Sequence, residues 1–269
     1  MSLDNASKFM KTGKISKTKI SKNVYSYILY DASIIAEPTL QLFNRDYHTN
    51  QQTQQNNSTS SGVTIEAGSR AGIGRAKVVY FSFANKSLVL KHYFRGGAVA
   101  TLLKDRYLGF NIENSRAFKE WRLLKKMFYL GLPVPQAVAA HVEKALFSYR
   151  ADLITEEIKD SKTLADVLSE NSIDAEHWKN IGACIKLFHQ NNVYHADLNA
   201  RNILLVGTLP DAGDIYLIDF DNSAFRLDLN TWKMANLARL KRSLLKFRKK
   251  QENFNFDENN WSALLAGYK

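Results

Sequence analysis

Eight residues constrain this chain more than any others: His195-Ala196-Asp197-Leu198-Asn199-Ala200-Arg201-Asn202, an H-x-D-x-x-x-x-N pattern, followed closely by Ile218-Asp219-Phe220-Asp221. Ile203-Leu204-Leu205 and Ile215-Tyr216-Leu217-Ile218 read as short strands. The stretch between them, Gly207 to Gly213 with Pro210 and Asp211, reads as a turn. Such a hairpin returns the chain on itself and brings Asp219 back beside Asn202. Two hard oxygen donors so placed suit one or two Mg²⁺ ions bridging nucleotide phosphates, which leaves Asp197 to receive a hydroxyl proton. His195 is expected to pack and hydrogen-bond, holding the loop rather than reacting.

Phosphoryl transfer from a nucleotide needs further parts upstream. Val89-Leu90-Lys91-His92-Tyr93 sets one lysine in an apolar run, which suits a strand carrying a phosphate-binding ammonium. Ahead of it lies a Gly-rich stretch containing Gly72 and Gly74, then Val78-Val79-Tyr80-Phe81. A turn of this composition between strands can lay backbone N–H groups over phosphates. Residues 115–130 read as a helix with Phe118, Trp121, Leu123, Leu124, Met127 and Phe128 near the i, i+3, i+4, i+7 rows. Glu120 near its start is expected to pair with Lys91. Gly131, Pro133 and Pro135 mark its end. Residues 137–142 and 146–153 read as strands. Thr155 to Ile158 reads as the crossing between two lobes, where the backbone around Glu156 is expected to meet the adenine edge. Residues 164–168 and 175–190 read as helices leading into the loop.

Charge narrows the acceptor. The chain carries 37 Lys+Arg against 26 Asp+Glu, a formal +11, and the excess is concentrated. Arg226 to Lys250 holds nine cations and one acid, Asp228, with apolar residues at roughly helical spacing. This basic amphipathic helix fits either an anionic membrane or a packed helix with a solvated basic face. The lysines of residues 1–23 fit either recruitment to lipid or a solvated tail. Residues 50–62, rich in Gln, Asn, Ser and Thr, read as a flexible insert. No zinc-ligand spacing or recognition-helix signature accompanies the positive charge, so no nucleic-acid partner is expected. Cys184 falls on the apolar side of a helix and reads as a core residue. No run of 18 apolar residues and no signal peptide is found, and a cytoplasmic protein is expected. Only 48 residues follow Asp221, without an A-P-E motif. This favours a small-molecule or glycolipid acceptor over a protein.

Several longer segments extend the pattern: Leu90 to Gly97 (L-K-H-Y-F-R-G-G), Lys104-Asp105-Arg106-Tyr107, Gly131 to Pro135, Ala151 to Glu156, and Asn236 to Ser243 (N-L-A-R-L-K-R-S). With the catalytic loop and the D-F-D turn, these resemble the 3-deoxy-D-manno-octulosonic acid (Kdo) kinases of Gram-negative bacteria, relatives of the heptose kinases of the lipopolysaccharide core. The resemblance runs from about Ile28 to Lys246. It implies transfer of the ATP γ-phosphate to the Kdo 4-hydroxyl of a Kdo-lipid A precursor, by a peripheral protein at the cytoplasmic face of the inner membrane. It also implies Asp197 as base, Asn202 and Asp219 as Mg²⁺ ligands, and Lys91 with Glu120 at the phosphates. Arg95, Arg239, Lys241 and Arg242 are the cations expected to meet the anionic acceptor. Two positions depart from the family pattern: Ala76 stands for a loop glycine, and Lys91 stands where members often carry arginine; Asp221 replaces the glycine of D-F-G, as it does across this branch.

The expected fold is therefore α+β and protein-kinase-like. A basic tail (1–23) precedes a five-stranded antiparallel N-lobe with one helix (24–157), and a compact, mainly helical C-lobe follows (158–269). A heptose kinase, or another small-molecule kinase, is the alternative.

Overall fold

The computed structural model describes residues 13–48, 78–94, 105–109, 111–207, 213–227 and 229–269. The Gly-rich stretch with Gly72 and Gly74, Arg95, the 50–62 insert and residues 1–12 lie outside them. The chain divides into two units, residues 1–125 with 136–157, and residues 126–135 with 158–269.

The first unit contains strands β1 (Gly13–Ser21), β2 (Val24–Asp31), β3 (Val78–Phe83), β4 (Lys86–His92), β5 (Tyr107–Leu108), β6 (Ala137–Ala145) and β7 (Ser148–Glu156). All pairings are antiparallel, in the order β1-β2-β6-β7-β4-β3, with β5 added on β7 beyond the end of β4. Among the described residues the sheet thus has seven strands, not the five expected. β5 is too short to leave a sequence signature. β1 occupies much of the expected basic tail: Gly13 pairs with Asp31 and Lys19 with Tyr25. Its lysines mark it as an edge strand, where charge discourages pairing with other chains. Ile28, Leu88, Leu90, Val138, Ala139 and Ile154 form the centre of one core of this unit.

Helix α1 (Arg116–Tyr129) follows β5 and buries Ala117, Phe118, Trp121, Leu124 and Met127. Phe128, expected on the buried face, is exposed. The buried Lys125 ammonium lies 2.7 Å from Asp31 Oδ2 and so pins the helix to the end of β2. Burial pushes the Asp31 carboxyl up, but hydrogen bonds from Lys125 and Ser33 outweigh it and hold the group below its ordinary pKa. Gly131 ends the helix at φ +73°, a conformation that suits glycine. Leu132 N–H donates back to Met127 O at 3.1 Å. Residues 126–135 group with the second unit, where Leu217 N–H donates to Pro133 O.

The second unit comprises β8 (Ser161–Thr163), α2 (Leu164–Glu170), α3 (Ala175–Gln190), β9 (Val193–Tyr194), β10 (Ile203–Val206), β11 (Ile215–Leu217), β12 (Ala224–Phe225), α4 (Asn230–Lys250) and α5 (Glu258–Tyr268). Local chemistry sets the helix starts. Thr163, Asp174 and Asp257 cap α2, α3 and α5 through their side-chain oxygens. β10 and β11 form the hairpin anticipated after the loop, and β8 adds to its other edge.

Candidate active site

In the first unit, Lys91 on β4 points its ammonium at Glu120 on α1, 3.0 Å from Oε1 and 2.8 Å from Oε2. Glu120 is buried and also accepts the Tyr93 hydroxyl at 2.5 Å. A buried carboxylate needs such partners, and here they fix the lysine in one direction. Next to this pair, Asp152 on β7 is gripped by two imidazoles, His92 Nδ1 at 2.6 Å and His141 Nδ1 at 3.0 Å. Burial pushes its carboxyl up, yet these hydrogen bonds prevail and hold it below the ordinary carboxylate range. The register places His92, Asp152 and His141 side by side on β4, β7 and β6, so the network locks the end of the lysine strand.

In the second unit, the loop of residues 195–202 lies between β9 and β10. Asn202 is buried, and its Nδ2 donates to Asp197 O at 2.9 Å, which fixes the orientation of the amide. Ile218 N–H donates to Asn202 O, tying the D-F-D turn to the loop. Phe220 is buried between His195 and Phe188, at ring distances of 4.6 and 5.7 Å. Asp219 itself sits at φ +63°, a sparsely populated conformation for any residue with a side chain. Oxygen donors of this kind fit Mg²⁺, which takes one or two protein ligands and keeps water and phosphate oxygens for the rest.

His195 is buried and has a defined tautomer. Asp197 N–H donates to its Nδ1 at 3.1 Å, so Nε2 carries the proton and donates to Ile218 O at 3.0 Å. The ring thus fastens the loop to the strand before Asp219.

One face of α4 completes the loop. Asn236 Nδ2 donates to His195 O at 2.9 Å, and its Oδ1 accepts His195 N–H at 3.2 Å. Arg239 Nη1 lies 3.3 Å from Asp197 Oδ1. Ser243 Oγ accepts Ala200 N–H at 3.3 Å. These three residues are spaced i, i+3, i+7, so a single stripe of the helix grips the start, middle and end of the loop. Sequence reasoning did not assign Asn236 or Ser243 a role. The signal was present: Asn236 shares i+4 spacing with the apolar Trp232, Leu240 and Leu244, and a polar residue in a buried stripe must find partners.

The remaining expected positions are placed as follows. Glu156 ends β7, with its N–H donated to Gln136 O at 2.9 Å and its carboxylate paired with Lys86, and Glu157 N–H is donated to Ser87 O. The donors anticipated for adenine at these two residues are therefore engaged in the sheet. Lys241, expected at the acceptor, pairs with Glu258 of α5 at 2.7 Å. Arg242 is exposed.

A strand lysine paired with a buried helix glutamate, and an H-x-D-x-x-x-x-N loop tied to the D-F-D turn after its hairpin, are the parts of a phosphotransferase of the protein-kinase type. Comparison with known proteins narrows the class. The model of the lipopolysaccharide kinase (Kdo/WaaP) family matches residues 70–268, and the chain belongs to that family. It is 42% identical over 181 residues to the 3-deoxy-D-manno-octulosonic acid kinase of Mannheimia succiniciproducens, covering 67% of this chain and 74% of that one. It is 37% identical over 207 residues to the enzyme of the same name from Haemophilus influenzae strain Rd, covering 73% and 84%. Among solved structures it is similar to WaaP in complex with acyl carrier protein, at 16% identity and TM-score 0.49, over 86% of each chain.

Proposed function

We propose that this protein transfers the γ-phosphoryl group of ATP to the 4-hydroxyl of a Kdo sugar on a lipid A precursor, at the cytoplasmic face of the inner membrane. The observation that carries the reaction is the fixed Asp197–Asn202 loop, with Asp219 tied to it through Ile218. The sugar follows from the Kdo kinases that this chain resembles over most of its length.

In this reading Asp197 receives the proton of the acceptor hydroxyl as the bond to phosphorus forms. Lys91, aimed by Glu120, holds the nucleotide phosphates. Asn202 Oδ1 and the Asp219 carboxylate would hold Mg²⁺, which when bound neutralises charge on the phosphate oxygens. Arg239 on the Asp197 carboxylate keeps the base oriented and puts a cation where an anionic sugar acid must arrive. No helix of the described residues is long and apolar enough to cross a membrane, so contact with a lipid-borne acceptor is peripheral in this reading.

The test offers the protein Mg²⁺ and γ-labelled ATP with three lipids: the Kdo-bearing precursor, the same lipid lacking Kdo, and a heptose-bearing core. Label in the Kdo-bearing lipid, absent from the lipid without Kdo, is the expected result. Label confined to the heptose-bearing core would overturn the assignment of the sugar.

A further inference from the structure

Tyr93 is buried and touches both members of the lysine–glutamate pair. Its hydroxyl donates to Glu120 Oε2 at 2.5 Å, the same oxygen that accepts from the Lys91 ammonium at 2.8 Å. The centre of its ring lies 4.7 Å from Lys91 Nζ, within cation–π reach. The backbone holds the ring in place. Tyr93 directly follows β4, and its N–H donates to Ala151 O at 3.1 Å, which continues the pairing of β4 with β7. Residues two apart on an extended segment share a face, so Lys91 and Tyr93 both turn toward α1.

The three groups differ in access to solvent. Lys91 keeps 15% of its side chain open, whereas Glu120 keeps 3%. Water therefore cannot stand in for the tyrosine hydroxyl at Oε2. A buried carboxylate that loses a donor draws harder on those that remain, the Lys91 ammonium among them. Glu120 would then compete with a phosphate for the same cation. The position of α1 does not depend on this bond. At the first turn of the helix, Arg116 Nη1 donates to the Tyr107 hydroxyl at 2.9 Å, and Arg116 N–H donates to the Tyr149 hydroxyl at 3.4 Å. Beyond Glu120, Lys125 holds Asp31. These anchors stand about 13.5 Å of helix rise apart, one on each side of Glu120. Cutting the Tyr93 bond changes the carboxylate and leaves the helix where it is.

We propose that Tyr93 is a positioning residue for phosphoryl transfer. Its hydroxyl takes up part of the charge on Glu120 Oε2 and so keeps the Lys91 ammonium available to the nucleotide phosphates. This proposal rests on the reading of Lys91 as the cation that holds those phosphates.

The full chain carrying Tyr93→Phe tests it, by calorimetric titration with Mg-ADP and by displacement with adenosine, which has the base and sugar but no phosphate. Mg-ADP should bind at least fivefold more weakly than to wild type, and adenosine within twofold of it. Tyr149→Phe removes a buried hydroxyl that meets the same helix away from Glu120, and should leave both affinities within twofold. In a Lys91→Met background, Tyr93→Phe should change Mg-ADP affinity less than twofold, because two residues acting through one group do not add. Unaltered Mg-ADP binding by Tyr93→Phe overturns the proposal. So does an equal loss of adenosine, which marks a general disturbance, a matching loss in Tyr149→Phe, or a further loss in the Lys91→Met background. Should Tyr93→Phe melt early, nuclear magnetic resonance of the wild type decides. The buried Tyr93 hydroxyl proton should move on adding Mg-ADP and not on adding adenosine, and a proton that ignores Mg-ADP overturns the proposal. Lys91→Met with the Mg-ADP affinity of wild type takes the phosphates away from Lys91, and the proposal falls with that reading. A weak Lys91→Met beside an unaltered Tyr93→Phe leaves the reading standing and removes Tyr93 alone.

Discussion

Asn236 holds the start of the 195–202 loop from outside it. It donates to and accepts from the backbone of His195, and its Oδ1 also faces His189 Nε2 at 3.3 Å. An aspartate there would keep the acceptor and lose the donor. Asn236→Ala strands the buried His195 N–H and C=O, at about 1–3 kcal/mol. Urea unfolding should show that loss together with a fall in kcat, and Asn236→Asp should recover only part of either. A stable but slow Asn236→Ala would still place the residue at the loop. A stable variant with full turnover would sink the assignment. His189 extends the chain to Tyr268, whose hydroxyl is 2.8 Å from Nδ1. Burial pushes this imidazole down to about 4, so it stays neutral while the unfolded chain takes up a proton near pH 6.5. Stability from this group is complete above pH 6.5 and declines as pH falls toward 4, by at most about 3 kcal/mol. Unfolding free energies of wild type and His189→Gln, compared from pH 4 to 7, should diverge with that slope. Parallel curves would show that the histidine is not the cause.

At the scale of elements, α3 and α5 meet backbone to backbone. A Cβ on Gly182 would lie 2.0 Å from Leu264 O, and one on Gly267 would lie 2.0 Å from Lys179 O. Gly to Ala in a helix ordinarily gains about 1 kcal/mol of propensity. Here the clash is with backbone, which cannot rotate away, and overpacking costs about 1–3 kcal/mol. Gly182→Ala should therefore lower the melting temperature, and an unchanged or raised value would show that the helices separate freely. The same contrast between local signal and tertiary context explains what could be read before folding was known. The bounds of α3, the β10–β11 hairpin and the loop between β9 and β10 follow from strong local patterns: a cap at Asp174, an apolar stripe, and a turn between two short apolar runs. β1 did not, because Gly13-Lys-Ile-Ser-Lys-Thr-Lys-Ile-Ser21 has the composition of a solvated tail, and only pairing with β2 makes it a strand. The engagement of Glu156 by Lys86 and of Lys241 by Glu258 joins residues 70 and 17 positions apart. No local pattern announces such pairs.

At the scale of the whole molecule, net charge competes with the site as an explanation for any nucleotide binding. A protein at +11 attracts ATP anywhere on its surface, and that attraction fades with salt. The two causes predict opposite effects for one substitution. Asp219→Ala removes an acid and makes the protein more cationic, so diffuse attraction would strengthen the thermal shift produced by Mg-ATP. A site in which Asp219 holds the metal would lose it. Free nucleotide at 100 times its Kd should stabilise the wild type by about 2.7 kcal/mol by mass action. Asp219→Ala should abolish most of that shift. Asp197→Ala adds the same charge but removes the base, so it should keep the shift while kcat falls at least about 100-fold. Thermal melts with and without Mg-ATP, paired with turnover for each variant, separate the three roles. A shift that survives in Asp219→Ala would assign binding to charge alone, and near-normal turnover in Asp197→Ala would take the base away from Asp197.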